Sequence, residues 1–303
     1  MRVAVTAGNQ LGEGALWCER EQALYWTDIH AARLWRYLPN EGATHDWALP
    51  ERLASFALCE ADGWLLLALA TRLAFFHPQR NELRDFGPNG IAARGFDDRH
   101  DTRANDGACD RQGRFVFGTL HEAAQGPKLA VGGFHRLNAD LSLEALPLPH
   151  VAIANSVAFS PDGATMYFCD SLQKKILRCD YGDQVGPASV FADLSAQDGE
   201  PDGSAVDAEG GLWNAQWGAA RVVRYLPDGR EDRRIAIPTV QPTRPTFGGP
   251  GLRTLFVTSA HDGLNTGTGC EDRHAGDVFA CTPGVAGLPE PRFAGDPDAV
   301  PVR

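Results

Sequence analysis

The sequence predicts an all-β protein, a six-bladed β-propeller. Two observations carry the prediction: helical periodicity is almost absent, and short aromatic or β-branched runs recur every ~40–50 residues. The matching runs are Ala23-Leu24-Tyr25-Trp26, Trp64-Leu65-Leu66-Leu67, Arg114-Phe115-Val116-Phe117, Thr165-Met166-Tyr167-Phe168, Gly211-Leu212-Trp213-Asn214 and Thr254-Leu255-Phe256-Val257. Their anchors Trp26, Leu67, Phe117, Phe168, Asn214 and Val257 lie 41, 50, 51, 46 and 43 residues apart. Repeats of that length, each with four short strands, are the mark of a propeller, and six anchors mean six blades. A sandwich fits so many spaced units poorly.

The turns agree. Glu60-Ala61-Asp62-Gly63, Asp110-Arg111-Gln112-Gly113, Ser160-Pro161-Asp162-Gly163 and Asp207-Ala208-Glu209-Gly210 place glycine where a tight hairpin needs it. A third strand follows in several units, as in Leu34-Trp35-Arg36-Tyr37, Gly133-Phe134-His135-Arg136, Ile176-Leu177-Arg178 and Val222-Val223-Arg224-Tyr225. The run Arg2 to Thr6 precedes the first unit and is expected to complete the last blade, hiding an edge strand. No Pro/Ser linker divides the chain, so residues 1–303 are expected to form one domain, with a solvated polar loop over 266–276.

A formal charge of -11 disfavours nucleic acid and anionic membrane surfaces as partners. The N-terminus has no apolar signal-like core and no 18-residue apolar run occurs, so a cytoplasmic protein, monomeric or weakly oligomeric, is expected. Seven cysteines, Cys18, Cys59, Cys109, Cys169, Cys179, Cys270 and Cys281, include no C-x-x-C pair and read as reduced thiols, several of them in apolar strand-like runs.

The stretch EPDGSAVDAEGGLWNAQWG, residues 200–218, shows the plan that recurs along the chain: a polar residue, a strand, a glycine turn and an aromatic strand. In a propeller the inner strands surround a channel, so the polar residues at their entrances converge. Those residues are Glu13, Asn105, Asp106, Asn155 and Asp202, each shortly before an apolar run. Asp and Asn are also ordinary turn formers, so each alone has a structural reading. Glu13, between Gly12 and Gly14, gains nothing as a turn former. Two carboxylates and an amide oxygen make an oxygen-only set suited to Ca²⁺, Mg²⁺ or Mn²⁺ and tolerable to Zn²⁺ or Fe²⁺. Ser156 and Ser204 lack the G-x-S-x-G pattern of a serine hydrolase, and His100, His150 and His261 have no partner at metal-ligand spacing.

The motifs LGEGALW (11–17), RANDGACDRQGRFVFGTLHE (103–122), ANSVAFSPDGATMYFCDS (154–171), PDGSAVDAEGGLWNAQWG (201–218) and FGGPGLRTLFVTSAHDGL (247–264) resemble the senescence-marker-protein/gluconolactonase family. That group includes regucalcin and bacterial sugar-acid lactonases. The resemblance covers nearly the whole chain and implies a six-bladed propeller with one divalent metal ion. It places the metal ligands on Glu13, Asn155 and Asp202, and substrate contacts on Arg103 and Asn105. The family's further acidic residue falls by strict alignment on Ala123, which leaves three alternatives: Glu122 serves instead, His121 does, or neither. The Thr119-Leu120-His121-Glu122 form looks more like bacterial pentonolactonases and hexonolactonases than the animal proteins. The implied activity is metal-dependent hydrolysis of a small-molecule sugar lactone, with Asp202 as proton acceptor. The alternatives are a non-enzymatic Ca²⁺-binding propeller and an esterase of the paraoxonase type.

Overall fold

The computed structural model describes residues 1–86, 101–122, 125–264 and 272–300. The expectations placed on His100, Ala123, Cys270 and residues 266–271 lie outside the described residues. Six antiparallel four-stranded sheets form the blades of a propeller, as the repeat predicts. Their inner strands are Gly12–Cys18, Leu53–Leu58, Thr102–Cys109, Ala154–Phe159, Glu200–Val206 and Pro242–Gly248. Among the described residues no helix is long and apolar enough to cross a membrane.

The hairpin chemistry works as expected. Gly63, Gly113, Gly163 and Gly210 all take positive φ, between 72° and 82°, which an L side chain resists. Buried aspartates tie these turns together. Asp207 accepts from the backbone N–H groups of Glu209 (3.0 Å) and Gly211 (2.8 Å), from Trp213 Nε1 (2.7 Å) and from Arg224 Nε (2.7 Å). Asp110 does the same for Gln112, Arg114 and the Tyr181 hydroxyl. Between blades the sheets pack through large aromatics such as Trp17 stacked on Phe256 at 5.8 Å and Phe134 edge-on to Phe168 at 5.0 Å. Cys18, Cys59, Cys109, Cys169 and Cys179 are free and buried, and Cys281 is free and half-buried.

Ring closure is non-local. Arg2–Val5 forms the outer strand of blade 6, pairing antiparallel with Val278–Cys281. At the end of the channel where the inner strands finish, the C-terminal segment crosses the ring. Gly287 bridges to Asp207 in blade 5, and Phe293 to Cys59 in blade 2.

One expectation is corrected. The polar residues do not sit in turns ahead of the inner strands; they lie inside them, at bulges. Each inner strand carries one more residue than its partner at this level. The register slips between Glu13 and Leu16, Leu53 and Ser55, Ala104 and Gly107, Asn155 and Ala158, Pro201 and Ser204, and Pro242 and Pro245. Gly, Asn, Asp and Ser suit a bulge for the reasons they suit a turn, which is why the two look alike in sequence.

Deleting residues 1–6 would uncover the Val278–Cys281 edge and remove Val3 and Val5 from the blade-6 core. We expect the thermal midpoint to fall by roughly 5–10 °C. An unchanged midpoint in a calorimetric scan would show that the N-terminal strand does not close the ring.

Candidate active site

Glu13, Arg103, Asn105, Glu122, Asn155 and Asp202 all line one pocket of about 390 Å³, at the channel end where the inner strands begin. They come from blades 1, 3, 4 and 5 and span 190 positions of sequence from Glu13 to Asp202, counted inclusively. Leu11, Ile29, Leu120, Ile153 and Trp217 give the pocket apolar surface, and His30 faces Asp262 across the mouth at 3.6 Å.

Glu13 is fixed by backbone geometry. A Cβ on Gly12 would come within 2.6 Å of the Ser259 carbonyl oxygen. Gly14, at φ 63°, turns its N–H onto Glu13 Oε2 at 3.0 Å. The flanking glycines therefore aim the carboxylate. Glu13 and Asp202 are both buried and line the same pocket. Burial, then the negative charge of Asp106, pushes the Glu13 carboxyl up to about 8. Burial and the Glu13 charge push Asp202 well above the ordinary carboxylate range. Two adjoining desolvated carboxylates are costly unless a proton or a cation lies with them.

The orientation of Asn155 follows from its neighbour. Ser171 Oγ donates to the Pro201 carbonyl (2.8 Å), so its remaining capacity is to accept, and it accepts from Asn155 Nδ2 at 2.9 Å. The Asn155 amide oxygen is thereby left free of that contact; it accepts from Asn105 Nδ2 at 2.9 Å. Among the described residues no group of three or more His, Cys, Asp or Glu is arranged to hold a metal ion. The set here has two carboxylates and completes itself with an amide oxygen. That hard, oxygen-only chemistry, with an unmet need for positive charge, fits one divalent cation.

The pocket wall at Glu122 is built around arginines. Glu122 lines the pocket, but its carboxylate is held by arginines: Arg52 binds it bidentately, 2.6 Å on each oxygen, and Arg103 Nε adds a contact at 3.2 Å. These contacts, led by the Arg52 hydrogen bonds, hold Glu122 below the usual carboxylate range. Arg103 is buried and donates onward to the Ala104 carbonyl (2.8 Å) and Asn105 Oδ1 (3.0 Å). His121 is not part of the pocket lining. Its Nδ1 accepts from Leu129 N and its carbonyl from Lys128 Nζ, each at 2.9 Å, so it secures the following loop. Ser156 and Ser204 are buried and hydrogen-bonded to each other at 2.6 Å.

Sequence reasoning missed Arg52 and Arg244. Asp106, grouped with the entrance residues, is not among the residues lining the pocket. It is ion-paired with Arg244 of blade 6 inside the channel. The bulge register offered a signal: Thr243-Arg244 stands in blade 6 where Asp202-Gly203 stands in blade 5 and Asn105-Asp106 in blade 3.

A family model described as the SMP-30/gluconolactonase/LRE-like region matches residues 11–261. L-arabinolactonase of Azospirillum brasilense is 52% identical, covering 95% of this chain and 94% of its own. 6-Deoxy-6-sulfogluconolactonase of Pseudomonas putida is 35% identical, covering 97% and 99%. The crystal structure of regucalcin from Agrobacterium tumefaciens, described as a calcium-binding protein, superposes with a TM-score of 0.87 at 29% identity, over 96% of each chain. Fold, site geometry and sequence thus converge, and the chain belongs to the SMP-30/gluconolactonase/LRE-like family.

Proposed function

We propose that the protein hydrolyses a sugar lactone to the open-chain sugar acid, with one divalent cation held by Glu13, Asn155 and Asp202. The observation that carries this reading is the convergence of two desolvated carboxylates, an oriented amide oxygen and a buried guanidinium in one open pocket. The lactonase names of the relatives from Azospirillum and Pseudomonas support the substrate class, and the first makes L-arabinono-lactone the compound to try first. The calcium-binding description of the Agrobacterium structure supports the cation.

Hydrolysis adds water to the lactone carbonyl carbon, passes through a tetrahedral oxyanion and breaks the ring C–O bond. A bound divalent cation supplies Lewis-acid polarisation of the carbonyl oxygen and a lowered pKa for water. Asp202 accepts the proton of the attacking water and is the residue placed to return it to the departing ring oxygen. Asn105 and Arg103 hydrogen-bond sugar hydroxyls and hold the ring in reach. Glu122 acts chiefly through Arg103, since its own oxygens are already engaged by two guanidinium groups. Trp217 and the apolar side chains beside it provide a surface for the C–H face of the sugar.

Ring opening followed by pH indicator, on protein stripped with chelator and then reloaded with single divalent metals, tests the reading. Metal-restored turnover of a sugar lactone above the spontaneous rate is expected. No rate above background with any metal or any sugar would refute it.

Asp202→Asn is expected to lower kcat by ~10²–10⁴ while the lactone KM stays within a few-fold. Turnover at the wild-type rate with cation bound would remove Asp202 as the proton acceptor. Arg52→Ala frees Glu122 and loosens Arg103, so KM should rise about tenfold with a smaller change in kcat. Steady-state kinetics on the reloaded variant checks this, and an unchanged KM would show that Arg103 holds its place without the clamp.

A further inference from the structure

The inner strand of blade 6 contributes nothing to the pocket lining, yet its bulge touches the backbone on either side of the ligand-bearing strands. Thr243 Oγ1 donates to the carbonyl of Gly12 at 2.5 Å, one residue before Glu13. It also hydrogen-bonds Thr258 Oγ1 at 2.8 Å, which holds it against its own blade. The next residue, Arg244, lies along blade 5: a Cβ on Gly203 would fall 2.8 Å from Arg244 Cβ and Cγ, so Gly203, adjacent to Asp202, is the seat of this side chain. The Arg244 guanidinium then crosses the channel to Asp106 of blade 3.

Asp106 extends the connection. Its Oδ1 accepts from Gly107 N at 2.9 Å, fixing its own bulge, and its Oδ2 accepts from Val157 N of blade 4 at 2.8 Å, two residues after Asn155. Asp106 and Arg244 are both buried. Asp106 directly follows Asn105 in the chain.

We propose that the Asp106–Arg244 ion pair, with Thr243, is a positioning device that sets the bulges of blades 1, 3, 4 and 5 and thereby the spacing of Glu13, Asn105, Asn155 and Asp202. Neither charged residue need touch substrate or cation. Each acts on the strand that carries a ligand. An ion pair suits the task because its strength is directional and its partners, 138 positions apart, join opposite parts of the ring. Outer-shell groups of this kind tune cation affinity through geometry. The consequence for cation binding rests on the function proposed above; the consequence for the bulges does not.

The test compares wild type with Asp106→Asn/Arg244→Met, which removes both charges together and leaves no unpaired buried ion, and with Arg244→Lys, which keeps the charge. Hydrogen exchange on chelator-stripped protein reads the bulges directly. Faster exchange is expected in the double variant over 104–109, 154–159 and 200–206, with 53–58 of blade 2 unchanged as the internal reference. Mn²⁺ titration by calorimetry is expected to give ~10–100-fold weaker affinity, with kcat reduced more than KM, and partial recovery of both in Arg244→Lys. Wild-type exchange in those three segments would overturn the proposal, and so would loosened bulges with undiminished Mn²⁺ affinity. Should the double variant fail to fold, Arg244→Lys carries the same readings over those three segments, and Thr243→Val reads the blade-1 bulge over 12–18. A wild-type protein that takes up no Mn²⁺ and opens no lactone would refute the proposed function, while the exchange data would still decide the role of the ion pair.

Discussion

A β-strand alternates its side chains, so a regular strand can offer a channel only every second residue. One extra residue in each inner strand breaks that alternation, and the chemistry of the protein depends on the break. In blade 3 it allows consecutive residues to serve the interior: Asn105 lines the pocket, while Asp106 crosses the channel to Arg244. In blade 4 the bulge places Asn155 in the pocket and hands the N–H of Val157 to Asp106. In blade 5 it lays Asp202 beside the seat of Arg244 at Gly203. Six repeats supply six such breaks in one ring, so residues distant in sequence meet without a loop having to reach them.

Electrostatics gives the pocket its character. Three buried carboxylates, Glu13, Asp106 and Asp202, lie on the inner strands, and the buried guanidinium of Arg244 is paired with Asp106. These four groups sum to two negative charges, and burial together with neighbouring carboxylates pushes Glu13 and Asp202 above the ordinary carboxylate range. At Glu122 the sign is reversed, with Arg52 and Arg103 around a single carboxylate.

The blade repeat was legible because it is local: hairpin glycines, turn aspartates and aromatic strands lie within a few residues of one another. The identity of Glu13, Asn105, Asn155 and Asp202 as pocket residues was legible because repeats place equivalent positions in equivalent places, and that of Arg103 only through the family resemblance. Their setting inside strands was not, since Asn-Asp-Gly and Asp-Gly read equally well as turns. Arg52 and Arg244 escaped notice for a different reason. Their meaning lies wholly in partners 70 and 138 positions away, and no local pattern marks an arginine for an ion pair across a ring. Glu122 illustrates the same limit: its presence in the pocket was expected, but the two guanidinium groups that occupy it could be seen only in three dimensions.

One chain of hydrogen bonds joins the two sides of the pocket. It runs from Arg52 through Glu122 and Arg103 to Asn105, then through Asn155 and Ser171 to the carbonyl of Pro201, next to Asp202. Each amide along it has its orientation decided by the next member, ending at a backbone carbonyl that cannot turn. Arg103 fixes Asn105 by donating to its oxygen, which leaves the Asn105 amide nitrogen to meet the Asn155 oxygen. Ser171 fixes Asn155 from the other side. A substitution at Arg52 or Glu122 therefore reaches Asn155 and the strand of Asp202, and under the proposed function the sugar and the cation would answer to a single polar network rather than to two separable sites.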